Sequence, residues 1–157
     1  PRPWQAGHMQ HYLALTASEL LAQTPPNRDA ICVEDRDVSP DSTWEETTED
    51  ARDDAALESL HLAREEQSSP TRLVVGGALP SRDARFSSWQ QVDEIYADDT
   101  RGREICAQLF LAQTQEEADL LIGQLFEEAL MWYDISERTD LGDALVRAKP
   151  VDEVGED

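Results

Sequence analysis

From Ser42 to Ser69 the sequence carries neither proline nor glycine. An uninterrupted stretch of this kind reads as one long helix, and no other feature constrains the chain as strongly. Ser42 and Glu45 have the spacing of a capping box at its start. Trp44, Thr48, Ala51, Ala55, Ser59 and Leu62 then fall on one narrow stripe. Ala63 flanks that stripe, while Leu57 and Leu60 lie outside it. Glu46, Glu49, Asp50 and Asp53 occupy the opposite arc, with Glu45 beside them. The rows Glu45/Glu49/Asp53 and Glu46/Asp50/Asp54 repel by roughly a few tenths of a kcal/mol per pair. The helix dipole offsets part of this, mostly in the first turn. The stretch is therefore an amphipathic helix with a wet acidic side. One straight helix face cannot converge those carboxylates on an ion.

The remaining chain alternates short apolar runs with helical segments. Met9–Leu15 reads as a strand, and Thr16 with Glu19 as a capping box for a short helix that "TPPN" stops. Ala30–Val33 reads as a second strand. In "TRLVVGGALP", Leu73, Val74 and Val75 form the clearest strand, ended by Gly76-Gly77. Glu94–Ala97 is a short strand followed by Asp98-Asp99, and a helix follows Thr100. Thr114 with Glu117 opens the best helix, on which Ala118, Leu121, Ile122, Leu125, Ala129 and Trp132 share a face. Gly123 within it marks a close approach of another element, and "DISERTDLGDALVRA" adds a last short helix. Strands alternating with helices argue for an α/β domain of about four short, mainly parallel strands covered by helices. The alternative is an α+β fold with one antiparallel strand.

The domain is expected over residues 9–148. "PRPWQAGHM" reads as a tag remnant over 1–8 followed by a native start at Met9, and residues 149–157 as an acidic flexible tail. Acidic residues outnumber basic ones 34 to 13, for a net charge of −21. A surface this negative repels phosphate backbones, which argues against direct nucleic-acid binding and against anionic membranes. Basic protein surfaces are what it attracts. No apolar run approaches the roughly 20 residues of a membrane helix. Cys32 and Cys106 sit in apolar contexts, lack any zinc-ligand spacing, and fit a reducing cytoplasm.

The order of motifs carries a resemblance. "M-x-x-Y-L-x-x-T" at Met9–Thr16 is followed by an acidic helix ending "ALESLHLA" and the "RLVV" strand. Next come "V-D-E-I-Y-A-D-D" and "L-M-W-Y-D-I-S-E" at Leu130–Glu137. Together they span most of Met9–Leu145 and resemble an uncharacterised actinobacterial family of small acidic α/β proteins. The resemblance implies fold order and source, and no activity.

Catalytic signatures are sparse. "VVGGALPS" lacks the spacing of a phosphate loop, and neither His11 nor His61 accompanies a nucleophile elbow. Asp98-Asp99 is the candidate place for a metal, ahead of Glu127-Glu128 with Asp134, which read as a solvated helix margin. Adjacent carboxylates at the carboxyl end of a strand suit Mg²⁺ or Mn²⁺ in a hydrolase, but they suit a helix start better, where they complement the dipole. No other cofactor is expected. "LMWYDI" places Met131, Trp132 and Tyr133 at a helix end, where they cannot all face one core. Glu46, Glu49, Asp50, Asp53, Trp132 and Tyr133 are thus the candidate interaction surface. These features favour a non-catalytic protein-interaction or regulatory domain. A metal-dependent hydrolase and a nucleic-acid mimic that fills a basic groove are the alternatives.

Overall fold

A computed structural model of the chain describes residues 9–148. The tag expected at 1–8 and the tail expected at 149–157 lie outside the described residues. Five strands form one sheet: β1 (Met9–Ala14), β2 (Ile31–Val33), β3 (Leu73–Leu79), β4 (Glu94–Ala97) and β5 (Met131–Asp134). Four helices accompany them: α1 (Trp44–Glu65), α2 (Thr100–Leu111), α3 (Gln115–Phe126) and α4 (Arg138–Arg147). The strand order is β2-β1-β3-β4-β5, and every neighbouring pair is antiparallel.

The mainly parallel α/β sheet expected from the alternation is therefore wrong, and the fold is α+β. The connections explain the error. A single helix between two strands returns the chain to the end where it began and makes the strands parallel. Only α1 does this: β2 and β3 both oppose β1 and so run parallel to each other, with β1 between them. Between β1 and β2 the expected helix is only a 3-10 turn, Ser18–Leu21, so the chain simply doubles back. Between β4 and β5 stand two helices joined by a short connection at 112–114. A helical hairpin ends near where it started, so β5 runs back along β4.

The sequence pattern places β5 at the end of a helix, and the structure differs. The helix stops at Phe126, and Met131–Asp134 pairs with β4 from Ala97↔Met131 to Glu94↔Asp134. The first cap of α1 also moves by one residue. Thr43 accepts from the Glu46 N–H at 3.1 Å, and the Glu46 carboxylate accepts from the Thr43 N–H at 3.0 Å. Gly76 and Gly77 do not end β3; they lie inside it. A Cβ on Gly77 would stand 2.1 Å from the Gln91 carbonyl oxygen, so the chain passes too close there for any side chain. Gly123 has nothing within 4 Å of where its Cβ would be, contrary to the close approach expected of it.

The pleat sends alternate residues to two faces. One face carries Leu13, Leu73, Val75, Ile95 and Tyr133, which pack with Leu20, Phe86, Leu141 and Leu145. The other carries Tyr12, Val33 and Val74 under Ala51, Ala55 and Ala56 of α1. Alanines at the contact let α1 lie close to the sheet. Ser59 fills the point where the β1–β3 ladder ends: its hydroxyl donates to the Leu15 carbonyl at 2.7 Å and accepts from the Leu73 N–H at 2.9 Å. Leu60 continues α1 into a third cluster with Ile105, Cys106, Leu109 and Leu125 of the helical hairpin. Each fully buried Leu or Ile contributes about 1.5–3 kcal/mol.

Candidate functional site

Asp98 follows β4 and is fully buried. Its carboxylate accepts from Arg72 Nε at 3.0 Å, Arg72 Nη2 at 2.6 Å and the Arg72 backbone N–H at 2.8 Å. The Cys106 thiol donates to it at 3.5 Å. Arg72 is itself 3% exposed, and its Nη2 also donates to the Glu128 carbonyl at 2.8 Å. A carboxylate has about four acceptor directions, and here they are occupied. Burial, then the Asp98 charge, pushes the Cys106 thiol far above its ordinary range. Asp99 turns to a different task and caps α2 by accepting from the Gly102 N–H at 2.9 Å. Gly102 is needed for this packing, because a Cβ there would stand 2.2 Å from Asp98 Oδ1. The two aspartates thus do separate structural work. The parallel-sheet argument for a ligand at this strand end also lapses with the antiparallel topology. Among the described residues, no group of three or more His, Cys, Asp or Glu side chains is placed to hold a metal.

The acidic side of α1 divides in three dimensions. Glu46 is engaged as the capping carboxylate, accepting from Thr43 and Ser42. Asp50 is exposed. Glu49 and Asp53 line a cleft of about 250 Å³ between α1 and the 126–130 connection, together with Arg52, Tyr96, Phe126 and Glu128. Burial first, and Glu49 second, raises the Asp53 carboxyl above the usual range. The cleft lining holds four carboxylates, Glu49, Asp53, Glu127 and Glu128, against Arg52 and Arg72. Asp98 already neutralises Arg72. Arg52 stacks over the Tyr96 ring at 4.7 Å and over the Tyr12 ring at 5.7 Å, on the inner side of the cleft. Tyr96 donates its hydroxyl to Glu94, and burial, then that hydrogen bond, raises its pKa far above the ordinary phenol value.

Trp132 and Tyr133, grouped by the sequence, are separated by the strand. Tyr133 lies opposite Ile95 and packs on the main core. Trp132 lies opposite Tyr96, on the face that α1 covers further in, and remains 57% exposed. Phe126 at 49% and Met131 at 46% are also open. The functional geometry thus gathers Glu49, Asp53 and Trp132 on one side and leaves Glu46, Tyr133, Asp98 and Asp99 to structure.

Arg52, Arg72 and Tyr96 were not singled out by sequence reasoning. Arg72 had a signal, a lone charge directly before the apolar "LVV" run. Compared with protein-family models, with curated proteins and with solved structures, the chain matches none. No helix among the described residues is long and apolar enough to cross a membrane.

Proposed function

We propose that the chain is a non-catalytic interaction domain that holds a basic partner protein against α1 and the adjoining cleft. The observation that carries this reading is the cleft. It sets Glu49, Asp53, Glu127 and Glu128 beside the exposed ring of Phe126, and its Tyr96 pairs across the sheet with exposed Trp132. Acids around open aromatic surface suit a ligand that brings cations on an apolar stem, as Arg and Lys side chains do. The hydrolase reading gains no support from Asp98, whose acceptor positions serve Arg72 and Cys106. Free Cys32 and Cys106 are in keeping with a cytoplasmic setting.

Fluorescence anisotropy of a labelled oligo-arginine peptide tests the reading, with oligo-glutamate as control. Binding of the cationic peptide should weaken as salt is raised and in Glu49→Gln/Asp53→Asn. Equal, negligible binding of both peptides at low salt would count decisively against it.

A further inference from the structure

The register fixes which backbone groups of β5 remain open. The Leu15 N–H donates to the Leu73 carbonyl, so Leu73 faces β1. The Asp98 N–H donates to the Arg72 carbonyl, so Arg72 and Asp98 face each other across β3 and β4. In an antiparallel ladder these roles alternate residue by residue. Tyr96 therefore bonds to β3, while Ile95 and Ala97 bond to β5. Their partners Tyr133 and Met131 point inward. Trp132 must then direct its N–H and C=O away from the sheet, along an edge that no described strand covers. The alternation also assigns the Asp134 N–H outward, and the side-chain evidence agrees: it donates to the Glu137 carboxylate at 2.9 Å instead of to a strand. That contact blocks one end of the edge and leaves the Trp132 position open.

Resting on the reading above, we propose that β5 is a docking strand for an extended partner segment that alternates basic and apolar residues, added antiparallel to it. Side chains directly opposite each other in a sheet share a face. The segment residue bonded to Trp132 therefore lies on the Trp132 face, where Glu94 and Asp134 stand opposite each other as like charges. A guanidinium at this place stacks on the Trp132 ring and relieves that carboxylate pair. Residues on either side fall on the other face, beside exposed Met131, and are apolar. A second copy of the chain is the wrong occupant on charge, since each copy carries −21 and would set Asp134 and Glu94 against their own kind. Main-chain bonds supply the affinity of such strand addition and alternate side chains the specificity.

Alternation makes the test specific, because the arginines of a peptide Ac-RVRVRVR-amide would turn their N–H groups to β5 and the valines would not. The labelled peptide should bind, and N-methylation of its arginines should weaken binding about tenfold or more, the loss of roughly one to two hydrogen bonds. N-methylation of its valines should leave binding within about twofold. Trp132→Lys, with its fold checked by its amide spectrum, should also weaken binding at least tenfold. Equal affinity of both methylated peptides would overturn strand addition while leaving a basic partner for the cleft. Failure of this peptide and of oligo-arginine alike would overturn both. A concentration-dependent dimer in sedimentation, dispersed by Trp132→Lys, would assign the edge to a second copy and overturn the proposal.

Discussion

The two edges of the sheet are built in opposite ways. At the β2 edge the acids are answered. Arg82 pairs with Glu34 and, at 2.9 Å, with Asp37, and Arg85 pairs with Asp29 at 2.8 Å. The same alternation that opens Trp132 turns Cys32 outward on β2, but Cys32 is half-buried beside Arg82, Asp83 and Ala84. At the β5 edge, Glu94 and Asp134 face each other without a cation pairing either of them among the described residues, and Trp132 and Met131 are exposed. Sheets usually blunt both edges against association. Here the arginines are concentrated at one edge, and the other keeps its negative charge and its aromatic surface. An acidic composition alone says only that a chain is soluble; where the neutralising arginines go says which side is left to recruit.

The largest effect should come from the anchor that holds the β5 side in place. Arg72 ties Asp98 to the Glu128 carbonyl in the connection that feeds β5. Asp98→Ala leaves a buried guanidinium without its partner and should cost about 3–5 kcal/mol in urea unfolding. Amide exchange should accelerate more in β5 than in β2. Equal acceleration at both edges would break the link between the pair and the docking edge. Arg72→Leu/Asp98→Leu should recover part of the loss, because replacing both charges removes the uncompensated one.

Next in size is Trp132→Lys. Affinity for the alternating Arg-Val peptide should fall at least tenfold, about 1.4 kcal/mol, while stability stays within about 0.5 kcal/mol as for other surface changes. A stability loss several times larger would make Trp132 a packing residue and erase the contrast with β2.

Asp53 supplies the pH dependence. Its folded-state pKa is raised above the ordinary carboxylate value by burial and Glu49. The folded chain therefore binds this proton more readily than the unfolded one, and Asp53 favours folding more as pH falls through its raised value. Protonation also removes a negative charge from the cleft. Oligo-arginine affinity should accordingly begin to fall in mild acid, before ordinary carboxylates titrate, and Asp53→Asn should abolish that early step. An unchanged profile in Asp53→Asn would remove Asp53 from the recruiting charge. The smallest effect belongs to the β2 side: Arg82→Ala should leave affinity for the Arg-Val peptide within about twofold, read by the same anisotropy titration. A gain comparable to the loss in Trp132→Lys would show that both edges dock the peptide once neutralising arginines are removed.

Much of this was legible in local pattern, and the failures have one cause. The buried positions Thr48, Ala51, Ala55 and Ser59 follow from helical periodicity, β4 from its apolar run, and the start of α2 to within one residue, since Asp99 and not Thr100 is its N-cap. Strand direction did not follow, because it depends on how many helices separate two strands in space, and two helices in a row reverse what one would do. Met131–Asp134 was missed because four residues are too few to distinguish period two from the tail of a helix. Asp98 and Asp99 looked alike as neighbours in sequence. The turn from β4 into α2 sends one to a buried arginine and the other to a helix end. No local pattern records that Arg72 would meet Asp98.

Amide hydrogen exchange along β5, with and without the alternating Arg-Val peptide, tests the docking edge most directly. In the free chain the Met131 and Tyr133 amides should be protected by β4 and the Trp132 amide should exchange quickly. Peptide at saturation should slow Trp132 markedly and leave its two neighbours nearly unchanged. A Trp132 amide already protected in the free chain, or one whose exchange the bound peptide does not alter, would contradict an open docking strand at β5.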